Sequence, residues 1–120
     1  MTWQRNAPVD IDWILWNGGK EMTIETKAER GKVTLELEGR LDTNTSPQLE
    51  DELAKVLDPT VEMLILDFAD LAYISSAGLR VLLTAQKKMN RQGDMIIRNA
   101  NEVIMEVFEM TGFVDILHIE

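Results

Sequence analysis

Apolar and polar residues alternate at the start of the regular part of the chain and predict two β-strands there. The strands cover Met22–Ala28 and Lys32–Glu38, and the alternation is strictest in the second, where every other side chain is Val or Leu. Because only the turn 29–31 separates them, the two strands must form an antiparallel hairpin. A polar loop, Gly39–Thr45, is predicted to follow the hairpin.

Beyond this loop, segments with the apolar spacing of helices alternate with short apolar runs typical of strands. A first helix begins at Thr45 or Ser46, has Pro47 in its first turn, and ends at Asp58-Pro59. The next predicted elements are a strand over Val61–Phe68, a helix that begins at Ser75 or Ser76 and ends at Gln92–Asp94, and a strand over Met95–Arg98. The last are a helix capped by Asn101, with Val103, Ile104, Val107 and Phe108 on its core face and Gly112 after its last turn, and a strand over Val114–Ile119.

The resulting order, β-β-α-β-α-β-α-β, predicts the α/β class. Each connection that contains a helix is long enough to cross over and return the chain to a parallel strand. We therefore expect a mixed β-sheet that opens with an antiparallel hairpin and continues with parallel strands. A chain of 120 residues is sufficient for one domain with its own core.

Residues 1–21 differ from the rest and are treated as an N-terminal extension, with a single domain over residues 22–120. They hold all three tryptophans, and Asn17–Glu21 has purine-rich codons that can spell a bacterial ribosome-binding site just before Met22. One interpretation is that the natural protein starts at Met22 and that the extension is a mis-called start. The other is a genuine extension in which Trp13–Trp16 packs on the domain as an extra strand. Both stay open at this point.

Composition narrows the class of function. The chain has no cysteine, which excludes disulfides and thiolate chemistry, and only one histidine, His118, which we expect to be structural. A net charge of −9 argues against nucleic acid as a partner and fits contact with other proteins. No apolar run reaches the ~20 residues of a membrane span, and no signal-peptide core precedes the domain. We expect a cytoplasmic protein that binds neither membrane nor nucleic acid.

An enzyme built on carboxylates is the first alternative. Asp42, Asp67 and Asp70 lie at predicted strand ends and loops, where a cluster could hold Mg²⁺. A phospho-accepting receiver domain, however, opens β-α and needs an acidic pair after its first strand, and this chain opens with a hairpin. Dispersed aspartates of this kind more often solubilise loops and cap helices. We therefore predict no enzymatic activity, no metal and no cofactor.

Two serines, Ser75 and Ser76, stand where the second helix is predicted to begin. A serine there can cap the helix, and one cap would suffice. A helix start also has free N–H groups that tolerate a phosphate, so the other serine can be a regulated hydroxyl. Asp67 and Asp70 are expected to flank the loop, with Asp42 as a further candidate, so that a phosphate would add charge to a negative patch and break an interface. From the residues alone, both interpretations remain open.

A basic stripe follows the serines along the same helix. Its members are Arg80, Thr84, Lys87 and Arg91. It is predicted to be a solvated helix face, with contact to an acidic partner as the alternative.

Four separated motifs carry a resemblance to a known family. They are Leu37–Asp42 (LEGRLD), Leu64–Phe68 (LILDF), Tyr73–Val81 (YISSAGLRV) and Val107–Phe113 (VFEMTGF). Each motif is weak alone, but the four occur in order and at family spacing. On these residues the chain from Met22 to Glu120 resembles a STAS domain, and specifically the bacterial anti-sigma factor antagonists.

The resemblance implies a phosphorylation switch. The unphosphorylated antagonist would bind an ATP-bound anti-sigma factor that is itself a serine kinase, and so release a sigma factor for transcription. Phosphorylation of a serine at a helix start would end binding, and a phosphatase would restore it. Matching the family motif gives Ser76 as the acceptor, with Ser75 as the second candidate because it stands where the family usually has Asp.

The resemblance also implies a contact surface and leaves one alternative function. The predicted partner-binding residues are Asp42, Thr43, Asn44, Ser75, Ser76, Ala77, Gly78, Leu79 and Arg80. The alternative is a STAS subunit without phosphorylation, in a lipid-transport or signalling scaffold complex, where Ser76 would be only a cap.

Overall fold

A computed structural model describes residues 22–120, which form five strands, three α-helices and one 3₁₀ turn. The bounds are β1 Met22–Glu29, β2 Lys32–Leu41, α1 Ser46–Val56, β3 Met63–Ile74, α2 Ser76–Met89, β4 Asp94–Arg98, α3 Glu102–Thr111, the 3₁₀ turn Phe113–Asp115 and β5 His118–Ile119. Both interpretations of residues 1–21 lie outside the described residues. None of the helices in residues 22–120 is long and apolar enough to cross a membrane.

The five strands form one mixed sheet in the order β1-β2-β3-β4-β5, which confirms the predicted fold class and element order. β1 and β2 pair antiparallel, and every later pair is parallel. Connections between parallel strands are right-handed, and here each one advances to the next strand in the same direction. The three helices therefore lie on one face of the sheet.

The core fills the space between that face and the helices. Across the middle of the sheet, Leu35 of β2, Leu66 of β3 and Ile97 of β4 are register neighbours, and all three are fully buried. The helices cover them with side chains at helical spacing, namely Leu49 and Leu53 of α1, Leu82, Ala85 and Met89 of α2, and Ile104 and Phe108 of α3. Burial of each large aliphatic side chain stabilises the fold by roughly 1.5–3 kcal/mol.

Two strands are longer than their sequence pattern predicts. β2 continues through Gly39 to Leu41, where a polar loop was predicted, and β3 continues from Phe68 to Ile74. The register between them shifts twice, so β3 contains extra residues opposite β2. These bulges change the spacing of buried β3 side chains from two to three residues, and strict alternation stops at Phe68 although the strand does not.

The C-terminal prediction was partly wrong. A strand over Val114–Ile119 was expected, but Phe113–Asp115 forms a 3₁₀ turn and only His118–Ile119 pairs with β4. The amides of Ile116 and Leu117 both donate to the carbonyl of Phe113, which winds the chain before it can extend. Val103 was placed on the core face of α3, but 52% of it is exposed.

The predicted ends of α3 are confirmed. The Asn101 side-chain oxygen accepts from the Ile104 amide at 2.8 Å, and its Nδ2 donates to the Leu71 carbonyl at 3.0 Å. Gly112 follows the last turn in the left-handed conformation, with φ of 82°. The cap therefore satisfies a helix amide and also joins α3 to β3.

Candidate functional site

The predicted site forms where β2 and β3 end side by side. Arg40 is the register partner of Tyr73, and Leu41 is the partner of Ile74. The Ser75 amide then donates to the Leu41 carbonyl at 2.9 Å, which holds the two strand ends together. Because the strands are parallel, the loop after β2 and the start of α2 emerge at the same edge of the sheet. The structure thus brings the predicted segments around Asp42 and around the serines together.

Ser75 is the N-cap of α2. Its backbone is extended, with φ of −106° and ψ of 176°, and its side chain accepts from the Gly78 amide at 3.4 Å. Its carbonyl accepts from the Leu79 amide at 2.9 Å and so closes the first helical turn. The Ser75 hydroxyl is half-buried in this role. One of the two serines therefore performs the capping that the sequence predicted for one of them.

Ser76 is the first residue of α2, and the environment of its side chain differs from that of Ser75. Its side chain is exposed, and within residues 22–120 it forms no hydrogen bond. It stands at the N-terminal end of a 14-residue helix, where unpaired amides and the helix dipole favour negative charge. The Ser76 side chain is therefore accessible from solvent.

Gly78 and Leu79 belong to the predicted partner-binding set but are buried beneath the surface. A Cβ on Gly78 would lie 2.8 Å from Cγ of Leu41 and 2.9 Å from Cγ1 of Ile74. Both of those side chains are themselves fully buried and have little room to move. Glycine therefore lets the helix start sit directly on the two strand ends and fixes the position of Ser76.

Asp42 organises the loop that faces the serines. Its Oδ1 accepts from the amides of Asn44 at 2.9 Å and Thr45 at 3.1 Å, and its carbonyl accepts from the Ser46 amide at 2.8 Å. Burial on its own would raise the pKa of Asp42, but these hydrogen bonds and the Arg40 guanidinium hold the pKa below its ordinary value. The charged side chain of Asp42 thus stabilises the turn that leads into α1.

Thr43 and Asn44 are exposed at the tip of this loop. A surface depression of about 240 Å³ connects Thr43 with Ala77 and Arg80 of α2. Members of the predicted set on both segments therefore line one depression beside the start of α2.

The predicted acidic flank is only partly present. Asp67 and Asp70 were expected beside the serines, but Asp70 precedes Ser75 by five residues of β3, which places it roughly 16 Å away at ~3.3 Å per residue. Asp67 lies still further back, where its Oδ1 accepts from the Ala69 amide and from Nδ2 of Asn99, both at 3.0 Å. Of the three aspartates that were expected there, Asp42 alone adjoins the site.

Sequence reasoning missed a cation–aromatic pair at this edge. The guanidinium carbon of Arg40 lies 4.9 Å from the ring centre of Tyr73, and its Nε is 3.5 Å from Oδ2 of Asp42. Both residues belong to motifs that were recognised in the sequence. The signal that would have linked them is the parallel register, which becomes visible only when β3 is known to reach Ile74.

No group of three or more His, Cys, Asp or Glu side chains is placed to hold a metal ion anywhere in residues 22–120. His118 is exposed on β5, and its register partner is Ile96.

Comparison with known families identifies the class of protein. The STAS domain family matches residues 23–120, nearly all of the described chain. The chain belongs to the STAS domain family, as the sequence motifs implied.

Two curated proteins with similar sequences are both named as anti-sigma factor antagonists. BtrV of Bordetella bronchiseptica, named as an anti-sigma factor antagonist, is 40% identical over 81 residues, which cover 67% of this chain and 70% of BtrV. The anti-sigma-B factor antagonist of Bacillus subtilis is 24% identical over 99 residues, which cover 82% of this chain and 90% of that protein.

Solved structures confirm the fold. An anti-sigma factor antagonist from Mycobacterium paratuberculosis has a TM-score of 0.74 at 18% identity, with 82% of this chain and 84% of that chain covered. The antagonist SpoIIAA in its unphosphorylated form has a TM-score of 0.65 at 19% identity, with coverage of 82% and 87%. The Bacillus SpoIIAA structure in the phosphorylated form has a TM-score of 0.65 at 20% identity, with coverage of 82% and 91%.

Proposed function

We propose that this chain is an anti-sigma factor antagonist that is switched by phosphorylation of Ser76. In its unmodified form it binds an ATP-bound anti-sigma factor with serine kinase activity and so releases a sigma factor. Phosphorylation of Ser76 ends that binding, and a phosphatase restores it. The proposal places the protein in the cytoplasm, without catalytic activity or a cofactor of its own.

The observation that carries the proposal is the division of roles between two adjacent serines. Ser75 is engaged as the cap of α2, whereas the Ser76 hydroxyl is exposed and unbonded within the described chain. The names of the similar proteins support the antagonist role. The existence of SpoIIAA in unphosphorylated and phosphorylated forms supports a covalent switch in this fold.

A phosphate on Ser76 would change the surface without disturbing the fold. It would add about two negative charges to a chain whose net charge is −9. The unpaired amides at the start of α2 accept such a charge locally. A protein surface packed against Ser76 would instead have to bury it, and a buried charge without a partner is strongly unfavourable. Binding is therefore lost while the domain stays folded.

The proposed contact surface surrounds Ser76. Thr43, Asn44, Ser76, Ala77 and Arg80 offer side chains directly, whereas Asp42, Ser75, Gly78 and Leu79 hold these in position. This division assigns a role to every residue of the predicted set.

The test uses the anti-sigma factor kinase encoded with this chain in its source genome. Ser76→Asp is expected to lower affinity at least about a hundredfold, as for a buried unpaired charge, whereas Ser76→Ala binds normally. Calorimetry measures the affinities. Incubation with the kinase and ATP, followed by intact-mass measurement, should show one added phosphate on the unaltered chain and none on Ser76→Ala.

Ser75→Ala is the matched control, because it removes the neighbouring hydroxyl and should still gain the phosphate. If Ser75→Ala loses the modification and Ser76→Ala keeps it, the acceptor is Ser75. If no phosphate is added and Ser76→Asp binds as well as the unaltered chain, the switch does not exist and a STAS scaffold subunit becomes the better interpretation.

A further inference from the structure

A groove begins between α1 and α2 at the serine end of α2, and its last section follows α2 alone to the end of that helix. Three connected depressions form it, of about 240, 260 and 430 Å³, and neighbouring ones have lining residues in common. Thr84, in the middle of α2, lines all three. The groove is therefore continuous with the surface around Ser76 and follows α2 for most of its length.

The α2 wall of the groove is basic. Its cations are Arg80, Lys87, Lys88 and Arg91, all exposed. Within residues 22–120 none of them forms a salt bridge, whereas Lys27, Arg40, Lys55 and Arg98 each do. The helix dipole favours Lys87 and Lys88 in the last turn, but Arg80 at the serine end gains nothing from it. Four cations in one line, without an ion-pair partner among residues 22–120, match an acidic occupant.

The floor of the groove and its α1 wall further restrict which molecule can bind there. Leu53, Ala54, Leu57, Val81 and Ala85 make the floor of the middle section largely apolar. Glu50 of α1 stands on the wall that faces the basic side. An occupant must therefore place apolar side chains downwards, carboxylates towards α2, and no carboxylate towards Glu50.

We propose that the groove takes an amphipathic helix of the anti-sigma factor, with an apolar face and acidic residues along one side. The inference rests on the proposed function, since it assigns the second contact of the same partner. α2 has 14 residues and is roughly 21 Å long, so it matches a partner helix of about four turns. Docking of an amphipathic helix into an apolar groove is a common mode of recognition, with anchors at helical spacing.

The groove also explains how far the effect of Ser76 phosphorylation extends. Arg80 lies four residues after Ser76, on the same side of α2 and one turn along. A phosphate on Ser76 would attract the Arg80 guanidinium and withdraw the first cation of the basic wall from the acidic partner helix. Modification thus weakens both contacts together.

The test reverses two charges far from Ser76. The double variant Lys87→Glu/Arg91→Glu changes the last turns of the groove, and Arg30→Glu/Lys55→Glu makes the same change in net charge outside it. In calorimetry with the anti-sigma factor kinase, the groove variant should bind about tenfold more weakly and the control within about twofold of the unaltered chain. Added salt should weaken binding of the unaltered chain more than binding of the groove variant.

A second pair of variants, at two neighbouring residues of α1, tests the role of the groove floor. Ala54→Glu puts a carboxylate into the groove and should weaken binding at least tenfold, whereas Lys55→Glu, one residue further, should not. Overlapping peptides that tile the anti-sigma factor should bind only where an apolar and acidic helix is encoded, and the groove variant should abolish that binding.

The outcomes separate this inference from the proposed function. If Ser76→Asp abolishes binding while both groove variants behave like their controls, the switch stands and the groove inference is wrong. If groove variants weaken binding while Ser76→Asp does not, the groove is a contact and the Ser76 switch is wrong. If sedimentation shows that the groove variants instead dissociate a dimer, the occupant is a second copy of this chain, and the inference is overturned.

Discussion

At the scale of single residues, two chemically identical side chains acquire different roles because of one step along the backbone. Ser75 has extended dihedral angles, which turn its hydroxyl towards the free amides of α2. Ser76 already has helical geometry, so its hydroxyl points away from those amides and into solvent. From the sequence, one serine was sufficient as a cap and the role of the other stayed open. The structure assigns the cap to Ser75.

Asp42 makes the stability of the site depend on pH. Its pKa in the folded chain lies below the ordinary 3.8, so its contribution is fully present above about pH 4 and is lost as the pH falls through the lowered value. We expect Asp42→Asn to remove about 1 kcal/mol of the acid-induced decrease in unfolding free energy, since the amide still accepts in the turn but carries no charge. Urea unfolding from neutral pH to about pH 3 measures this.

Asp51→Asn is the control, because Asp51 is exposed on α1 and forms no side-chain hydrogen bond within residues 22–120. The Asp51→Asn variant should leave the pH dependence of the unfolding free energy unchanged. The hydroxyl and amide of Thr60 lower the pKa of Asp58, so some acid sensitivity remains in every variant. An unchanged profile in Asp42→Asn would show that the charge of Asp42 does not support the turn.

Residues whose roles depend on distant neighbours were the ones that sequence reasoning placed wrongly. Asp67 and Asp70 follow an apolar strand and are close to Ser75 along the chain, so proximity to the serines was expected. An extended strand separates residues by ~3.3 Å each, and β3 continues well past both of them. Capping residues such as Asn101 were placed correctly, because a cap bonds to amides only a few positions away.

At the scale of elements, the start of α2 depends on how closely the helix approaches the sheet. Gly→Ala inside a helix ordinarily raises stability by roughly 0.5–1 kcal/mol. At Gly78 we expect the opposite sign, with a loss of about 1–3 kcal/mol, because the new methyl group meets Leu41 and Ile74 at less than 3.0 Å. Urea unfolding of Gly78→Ala measures the change.

A double-mutant cycle gives the control. In a Leu41→Ala background the contacts with Leu41 are removed and the contact with Ile74 at 2.9 Å remains, so Gly78→Ala should cost less stability there than in the unaltered chain. If Gly78→Ala raises stability in the unaltered chain, the helix start is less tightly packed than the distances indicate, and Ser76 is not held by Gly78.

The ends of the helices and strands show why the hydrophobic pattern alone predicts the secondary structure incompletely. The helices were placed well, because their caps and apolar spacing are local features of the sequence. The ends of β2 and β3 were missed, because bulges replace alternation with a spacing that no simple period describes. The strand predicted over Val114–Ile119 failed for a different reason, since a run of apolar residues is compatible with either a strand or a tight turn.

At the scale of the whole molecule, the three helices of residues 22–120 lie on one face of the sheet. On the other face Ile65 and Ile96 are register neighbours, and both are buried although neither belongs to the main core. The antiparallel start of the sheet and its parallel continuation were predictable from the lengths of the connections. The α1–α2 groove was not, because its walls are on separate helices whose spacing is set by packing on the sheet.

The position of a strand in the sheet should determine how slowly its amides exchange with solvent. The first half of β3 is paired on both sides, so its amides exchange only when the domain unfolds. β5 has two residues and lies at an edge. We expect β3 amides to exchange at least about a hundredfold more slowly than those of β5, measured by hydrogen exchange with NMR detection. Equal rates would show that the whole sheet opens as one unit.

The sequential strand order also has a consequence for synthesis of the protein. Among residues 22–120, each strand after β1 pairs with the one made immediately before it. On the ribosome, the β1–β2 hairpin emerges before the other described elements, and each later strand adds to an edge that already exists. Growth in one direction keeps the separation between paired segments short, which favours rapid folding. The segment that carries Ser76 joins this growing sheet only after both strand ends beneath it have formed.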